Sequence, residues 1–218
     1  MSMKQLQTIG IVAGGPSELI PDLTQYAHID YWIGVDHGAV TMTRAEMTVD
    51  LAIGDFDSIS HEAYEQVQTH AQEIKVFPAD KDLTDLELAI DEAIALNADD
   101  VFIFGASGGR LDHAWVNMFL LTKLAKADIT AWLVDRQNQM TINYPGEFTI
   151  EKEDHYPYVS FLSISEQVKG LSLRGFLYNL EDATISLGSS YTVSNECIEK
   201  NCTYSFTEGI LLVIKSRD

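Results

Sequence analysis

Residues 74–104 read IKVFPADKDLTDLELAIDEAIALNADDVFIF. Within this stretch the apolar period changes twice. Ile74–Phe77 and Val101–Phe104 are short runs of strand length, while Leu86, Ala89, Ile90, Ala93, Ile94 and Asn97 keep the i, i+3/i+4 spacing of one helix face. Thr84 and Glu87 stand at capping-box spacing, which starts the helix near Thr84. Strand, helix and strand in this order make a crossover unit, and crossovers join parallel strands.

The same alternation runs through the first two-thirds of the chain. Ile9–Ala13, Tyr31–Val35, Leu51–Ile53 and Thr130–Val134 read as further strands, and Leu111, Trp115, Met118, Phe119 and Leu121 mark a second helix. The expected architecture is an open, mainly parallel α/β sheet, whose ligands sit beyond the carboxyl ends of the strands. After Pro145-Gly146 the pattern changes. Tyr158–Ile164, Val168–Arg174, Ala183–Leu187, Cys202–Phe206 and Ile210–Ile214 are strand-like, separated by Gly, Asn, Glu and Asp. Two domains are therefore expected: α/β over 1–143 and an all-β sandwich over 144–218.

Composition narrows the partners. The 218 residues carry 14 Lys+Arg against 33 Asp+Glu, a formal charge of −19. Such a surface repels phosphate backbones and anionic lipid, so neither nucleic acid nor a membrane surface is an expected partner. No apolar run approaches the roughly 18 residues of a bilayer span, and the first residues hold no apolar block of signal-peptide length. The two cysteines, Cys197 and Cys202, are too few for a disulfide scaffold; a pairing across a hairpin around Glu199-Lys200-Asn201 is one reading, and reduced thiols of a cytoplasmic protein the plainer one.

Three acidic motifs fall where strands give way to helices. In Ile53-Gly54-Asp55-Phe56-Asp57-Ser58, alternate residues of an extended segment point the same way, so Asp55 and Asp57 address one metal cluster while Phe56 turns inward. A solvated turn capping the next helix is the plainer alternative. In Asp80-Lys81-Asp82-Leu83-Thr84-Asp85-Leu86-Glu87, helix capping accounts for Thr84, Glu87 and part of Asp85. It leaves Asp80 and Asp82 unexplained, and carboxylates this dense repel one another unless cations such as Mg2+ hold them. In Gly105-Ala106-Ser107-Gly108-Gly109-Arg110-Leu111-Asp112-His113, the glycines let backbone approach a phosphate, and Arg110 adds a fork of donors. This is neither a Walker A loop nor GxGxxG. His113 reads as a helix-packing or hydrogen-bonding residue.

In this order and spacing, DFDSI, KDLTDLELAI and GASGGRLDH closely resemble the thiamine pyrophosphokinase family. The resemblance extends to Val35-Asp36-His37-Gly38-Ala39, to Pro145-Gly146, to Val193-Ser194-Asn195-Glu196 and to the tail Gly209–Ile214 with Ser216. One departure is visible: His37 stands where the family has the first Gly of Asp-Gly-Gly. The resemblance implies an α/β nucleotide domain, a C-terminal β-sandwich that contributes to thiamine binding, and a homodimer with sites at the interface. It places Asp55, Asp57, Asp82, Asp85 and Asp112 around Mg2+ and the ATP phosphates, the first four as metal ligands. Lys81 and Arg110 would neutralise phosphate charge, with Asp36 and Ser107 at the nucleotide. Ser194 and Asn195 would meet thiamine, and Tyr178, Tyr191 and Trp115 are candidates to stack on it.

The implied chemistry is attack of the thiamine hydroxyl on the β-phosphorus of ATP, with AMP leaving. Such transfer needs positioning and charge neutralisation more than covalent help, and carboxylate-held Mg2+ supplies both. A DxD pair also serves sugar-nucleotide transferases and phosphatases with an aspartyl nucleophile. The phosphatase pattern follows the first strand and has Thr two residues after the second Asp; here the pair follows the third strand and that position is Ile59. A sugar transferase leaves Lys81, Asp82 and Gly108-Gly109-Arg110 without a role. The other alternative is a nucleotide or thiamine sensor without catalysis.

Overall fold

The computed structural model describes residues 7–78, 80 and 82–218; Lys81 lies outside them. The chain forms two compact units that part between Arg136 and Gln137.

The first unit alternates strand and helix. Its strands are β1 (Thr8–Val12), β2 (Tyr31–Val35), β3 (Val49–Gly54), β4 (Ala71–Val76), β5 (Asp100–Phe104) and β6 (Thr130–Val134). Its helices are α1 (His37–Arg44), α2 (His61–His70), α3 (Asp85–Ala95) and α4 (Leu111–Lys126). The strands lie in the order β4-β3-β2-β1-β5-β6, and every pairing among them is parallel. Winding proceeds outward from β1 to β4, then α3 carries the chain back to β5 on the other side of β1. The reversal between β1 and β5 is the switch point at which sheets of this kind hold ligands.

Burial follows from position in the sheet. β1 and β2 are buried from their second residue onward, which their near-continuous apolar sequences require. β4 lies at the edge and is largely exposed, consistent with its polar AQEIKV. At α3, Thr84 accepts the Glu87 N–H at 3.2 Å as the N-cap, and Leu86, Ala89, Ile90 and Ala93 form the buried stripe. α4 differs from the sequence expectation on one face. Leu111, Trp115 and Phe119 are exposed, and the buried residues are Leu120, Leu121 and Leu124. Apolar spacing locates the helix but does not say which apolar stripe the sheet covers.

The second unit is all β: β7 (Asn138–Asn143), β8 (Gly146–Glu151), β9 (Tyr158–Ser163), β10 (Gln167–Arg174), β11 (Leu180–Ser186), β12 (Asn195–Glu196), β13 (Asn201–Phe206) and β14 (Leu211–Ser216). Antiparallel pairing gives two sheets, β12-β9-β14-β7 and β11-β10-β13-β8. One core joins them, with Phe161 and Val213 from the first sheet meeting Leu171, Leu173, Tyr204 and Phe206 from the second. Phe161 sits edge-on to Phe176 at 5.4 Å between ring centres. This is a sandwich. β7 pairs with β14 from Asn138 to Asn143, so that strand belongs to the second unit. Neither β7 nor β8 was legible beforehand, because QMTIN and EFTIE carry too few apolar residues to stand out. Among the described residues, no helix is long and apolar enough to cross a membrane.

Candidate active site

The parallel strands deliver their loops to one rim. β1 runs into Gly14-Gly15, β2 into Asp36, β3 into Asp55-Phe56-Asp57, β5 into Gly105–Arg110 and β6 into Asp135. The loops after β1 and β5, which flank the switch point, touch backbone to backbone. Gly15 donates its N–H to the Gly105 carbonyl at 2.8 Å, and a Cβ on Gly15 would stand 2.4 Å from that oxygen. Only glycine permits this approach.

The acidic residues of the rim divide into two groups. Asp36 caps α1 with φ 45°, and its N–H donates to the Ile53 carbonyl at 3.0 Å. Its Oδ1 accepts the Phe56 N–H at 3.3 Å. Burial pushes the Asp36 carboxyl up to about 7; the neighbouring Asp85 and Asp55 charges add to this, and the Phe56 N–H opposes it. The Asp85 carboxylate stands close enough to Asp36 to be the largest charge acting on it. Asp36 is thus near enough to feel both Asp55 and Asp85, although the three come from separate places, the ends of β2 and β3 and the start of α3. Asp57 and Asp82 instead face solvent.

The DFD segment is not extended as expected. Phe56 has φ 57°, and Asp55 Oδ1 accepts the Asp57 N–H at 3.1 Å, so the chain turns as soon as β3 ends. The inward turn of Phe56 holds: it is buried, with its ring 5.1 Å from that of Tyr64. Among the described residues, no three of His, Cys, Asp or Glu already stand as a metal-binding group. The donor chemistry still fits a hard divalent cation. Burial foremost, and then the charges of Asp85 and Asp55, raise the pKa of Asp36, and Mg2+ in phosphate-transfer sites takes one or two carboxylates and completes its shell with phosphate and water.

The Gly-rich loop is held and armed from several sides. Ser107 Oγ donates to Asp135 Oδ2 at 2.7 Å, and Asn117 of α4 donates to the Ala106 carbonyl at 2.9 Å. Arg110 begins α4 and forks onto Asp112, with Nε to Oδ1 at 3.1 Å and Nη2 to Oδ2 at 2.6 Å. That guanidinium, helped by the His113 N–H, holds the Asp112 carboxyl down at about 2. Both side chains are largely exposed, so this pair stands in open solvent. Gly14, Gly15, Asn117 and Asp135 were not singled out from sequence. Gly-Gly directly after the first strand and Asp directly after the sixth are the signals that locate three of them.

In the second unit, Ser194 is exposed with φ 57°, and its N–H donates to Ser160 Oγ at 3.0 Å. Asn195 is buried. Its Oδ1 accepts the N–H groups of Tyr178 at 3.0 Å and Glu196 at 2.9 Å, while Nδ2 donates to the Tyr178 carbonyl at 2.8 Å. Asn195 therefore ties Tyr178 to β12. Tyr178 and Tyr191 are 66% and 69% exposed, so both rings are available to a flat ligand.

Comparison with known proteins accounts for both units. Residues 24–133 match the family model described as thiamin pyrophosphokinase, catalytic domain, and residues 147–211 match thiamin pyrophosphokinase, vitamin B1 binding domain. The chain belongs to the thiamine pyrophosphokinase family. It is 45% identical to the thiamine pyrophosphokinase of Bacillus subtilis (strain 168) over 214 residues, which are 98% of this chain and 100% of that one. A crystal structure of the Bacillus subtilis thiamine pyrophosphokinase superposes with a TM-score of 0.91 at 44% identity, covering 97% of this chain and 100% of that chain. The thiamin pyrophosphokinase of Geobacillus thermodenitrificans superposes at 0.90 and 44% identity, covering 97% and 98%. Membership favours the diphosphotransferase over the sugar-nucleotide transferase and the non-catalytic sensor.

Proposed function

We propose that this chain transfers the β,γ-pyrophosphate of ATP to the hydroxyl of thiamine, giving thiamine diphosphate and AMP, with Mg2+ required. The observation that carries this reading is the rim at the carboxyl ends of the parallel strands. There Asp36, Asp55 and Asp85 converge in a chain whose two parts match the catalytic and B1-binding models. In the transfer, the thiamine oxygen bonds to the β-phosphorus, the bond from that phosphorus to the α,β-bridging oxygen breaks, and the hydroxyl proton passes to a carboxylate or to water.

Asp55, Asp57, Asp82 and Asp85 would hold Mg2+, which neutralises phosphate charge when bound. Arg110 exchanges Asp112 for phosphate oxygens as the nucleotide arrives, releasing the Asp112 carboxylate beside the reacting groups. Lys81 is assigned to the same phosphates from the family resemblance. Asp36 lines the nucleotide pocket and props the DFD turn through the Phe56 N–H. In the second unit Ser194 meets thiamine, while Asn195 contributes by fixing the loop that carries Tyr178.

The family resemblance argues for a homodimer with shared sites, and two free thiols support a place in the cytoplasm. The charge of −19 argues against nucleic-acid and anionic-membrane partners. Incubation with ATP, Mg2+ and thiamine yields thiamine diphosphate and AMP in equal amounts, and EDTA stops the reaction. Release of ADP instead would mean attack at the γ-phosphorus and would overturn the assignment.

A further inference from the structure

We propose that Asp135 is a positioning residue for the nucleotide loop, acting through Ser107. The inference rests on reading Gly105–Arg110 as the loop that faces the ATP phosphates. Asp135 follows β6 and is 4% exposed; among the described residues it is the one acidic side chain in the buried set. A carboxylate so deep is costly unless strong hydrogen bonds hold it, and the Ser107 hydroxyl supplies one at 2.7 Å.

Each residue at the start of the loop is tied to a different element. Gly105 is held through its carbonyl by Gly15 after β1, Ala106 through its carbonyl by Asn117 of α4, and Ser107 through its hydroxyl by Asp135 after β6. Beyond them Gly108 and Gly109 run exposed with φ 74° and 65°, and Arg110 opens the helix. The shape offered to a phosphate is thus set by anchors immediately upstream.

A serine hydroxyl has a single hydrogen. While it is given to Asp135, Ser107 presents only lone pairs elsewhere and is no donor to a phosphate oxygen. The donors on this loop are then the Arg110 guanidinium and backbone N–H groups, and Ser107 serves to hold them in place.

The test compares Ser107→Ala, Asp135→Ala, the double variant and Ser107→Thr, with Arg110→Ala as the control for the loop. For each, KM for ATP, KM for thiamine and kcat are measured, with hydrogen exchange of the 105–110 amides in nucleotide-free protein. Both single alanine variants should raise KM for ATP about three- to tenfold, leave KM for thiamine within about twofold, and speed exchange across 105–110. The double variant should be no worse than the more damaging single one, and Ser107→Thr, which keeps the hydroxyl, should recover most of the KM for ATP that Ser107→Ala loses and slow exchange across 105–110 again.

A rise in KM for ATP with Ser107→Ala but not with Asp135→Ala would show that Ser107 meets the nucleotide itself, overturning the proposal. Unchanged exchange and KM in Ser107→Ala would do the same. If Asp135→Ala does not accumulate as folded protein, Asp135→Asn and Ser107→Ala decide by the same readouts. Should Arg110→Ala leave KM for ATP unchanged, the phosphate reading of the loop fails, a result separable from failure of the Asp135 anchor alone.

Discussion

The carboxylate of Asp36 occupies the space that a side chain at residue 54 would need. Its Oδ1 lies 1.7 Å from where a Cβ on Gly54 would stand. The close approach lets β2 and β3 deliver Asp36 and Asp55 side by side, and it lets Asp36 accept the N–H that shapes the DFD turn. Gly54 thus serves the carboxylate next to it.

Gly54→Ala should therefore damage both function and fold. The displaced atom ends a side chain that can rotate away, but residue 54 has φ 159°, so backbone strain of about 1–3 kcal/mol adds to about 1 kcal/mol for the lost Asp36–Phe56 hydrogen bond. Activity should fall at least tenfold, because Asp36 and the DFD turn both shift. Thermal melts and turnover on the same preparation check this. Full activity at an unchanged melting temperature would show that the site does not depend on that approach.

Asp36 predicts a pH dependence in the metal-free protein. Its folded carboxyl is pushed up to about 7 from an ordinary value of 3.8. Between these values the native state holds a proton that the unfolded chain has lost, so this group makes stability fall as pH rises through the window. Asp36→Asn removes the effect. In EDTA, the variant's melting temperature relative to wild type should be higher at pH 8 than at pH 5; an equal difference at both would contradict the shift.

Asp85→Asn separates metal binding from helix capping. The substitution keeps shape and removes a charge beside Asp36, so metal-free stability should be unchanged or slightly raised while activity drops by orders of magnitude. Thr84, not Asp85, is the N-cap of α3, which is why the fold tolerates the change. A strongly destabilised yet active variant would assign Asp85 to the fold.

A shared site in a homodimer predicts complementation. Asp85→Asn and Asn195→Ala, each inactive alone, are unfolded and refolded together. If each site draws Asp85 from one chain and the Asn195-anchored loop from the other, a heterodimer holds one intact site and one doubly damaged site. Random pairing makes about half the dimers heterodimeric, so recovery should approach about a quarter of wild-type activity. Mass-confirmed heterodimers without any gain would leave each chain serving its own site.

By itself the sequence determined the features that depend on near neighbours. The strand–helix alternation of the first unit, the Thr84 cap and the buried stripe Leu86-Ala89-Ile90-Ala93 were readable because a helix face and its cap are set within a few residues. The shift to an all-β second half was readable from its turn residues and the lack of helical spacing. Tertiary structure alone decided which side chains meet. Asp36 feels the charge of Asp85, and Ser107 bonds to Asp135, because strand order brings together segments far apart in the chain, and no local period encodes that order. It also decided that Asn195 is a buried anchor while Ser194 faces solvent. Adjacent residues of similar polarity look alike in sequence, and only the Tyr178 backbone packed against β12 consumes the Asn195 amide.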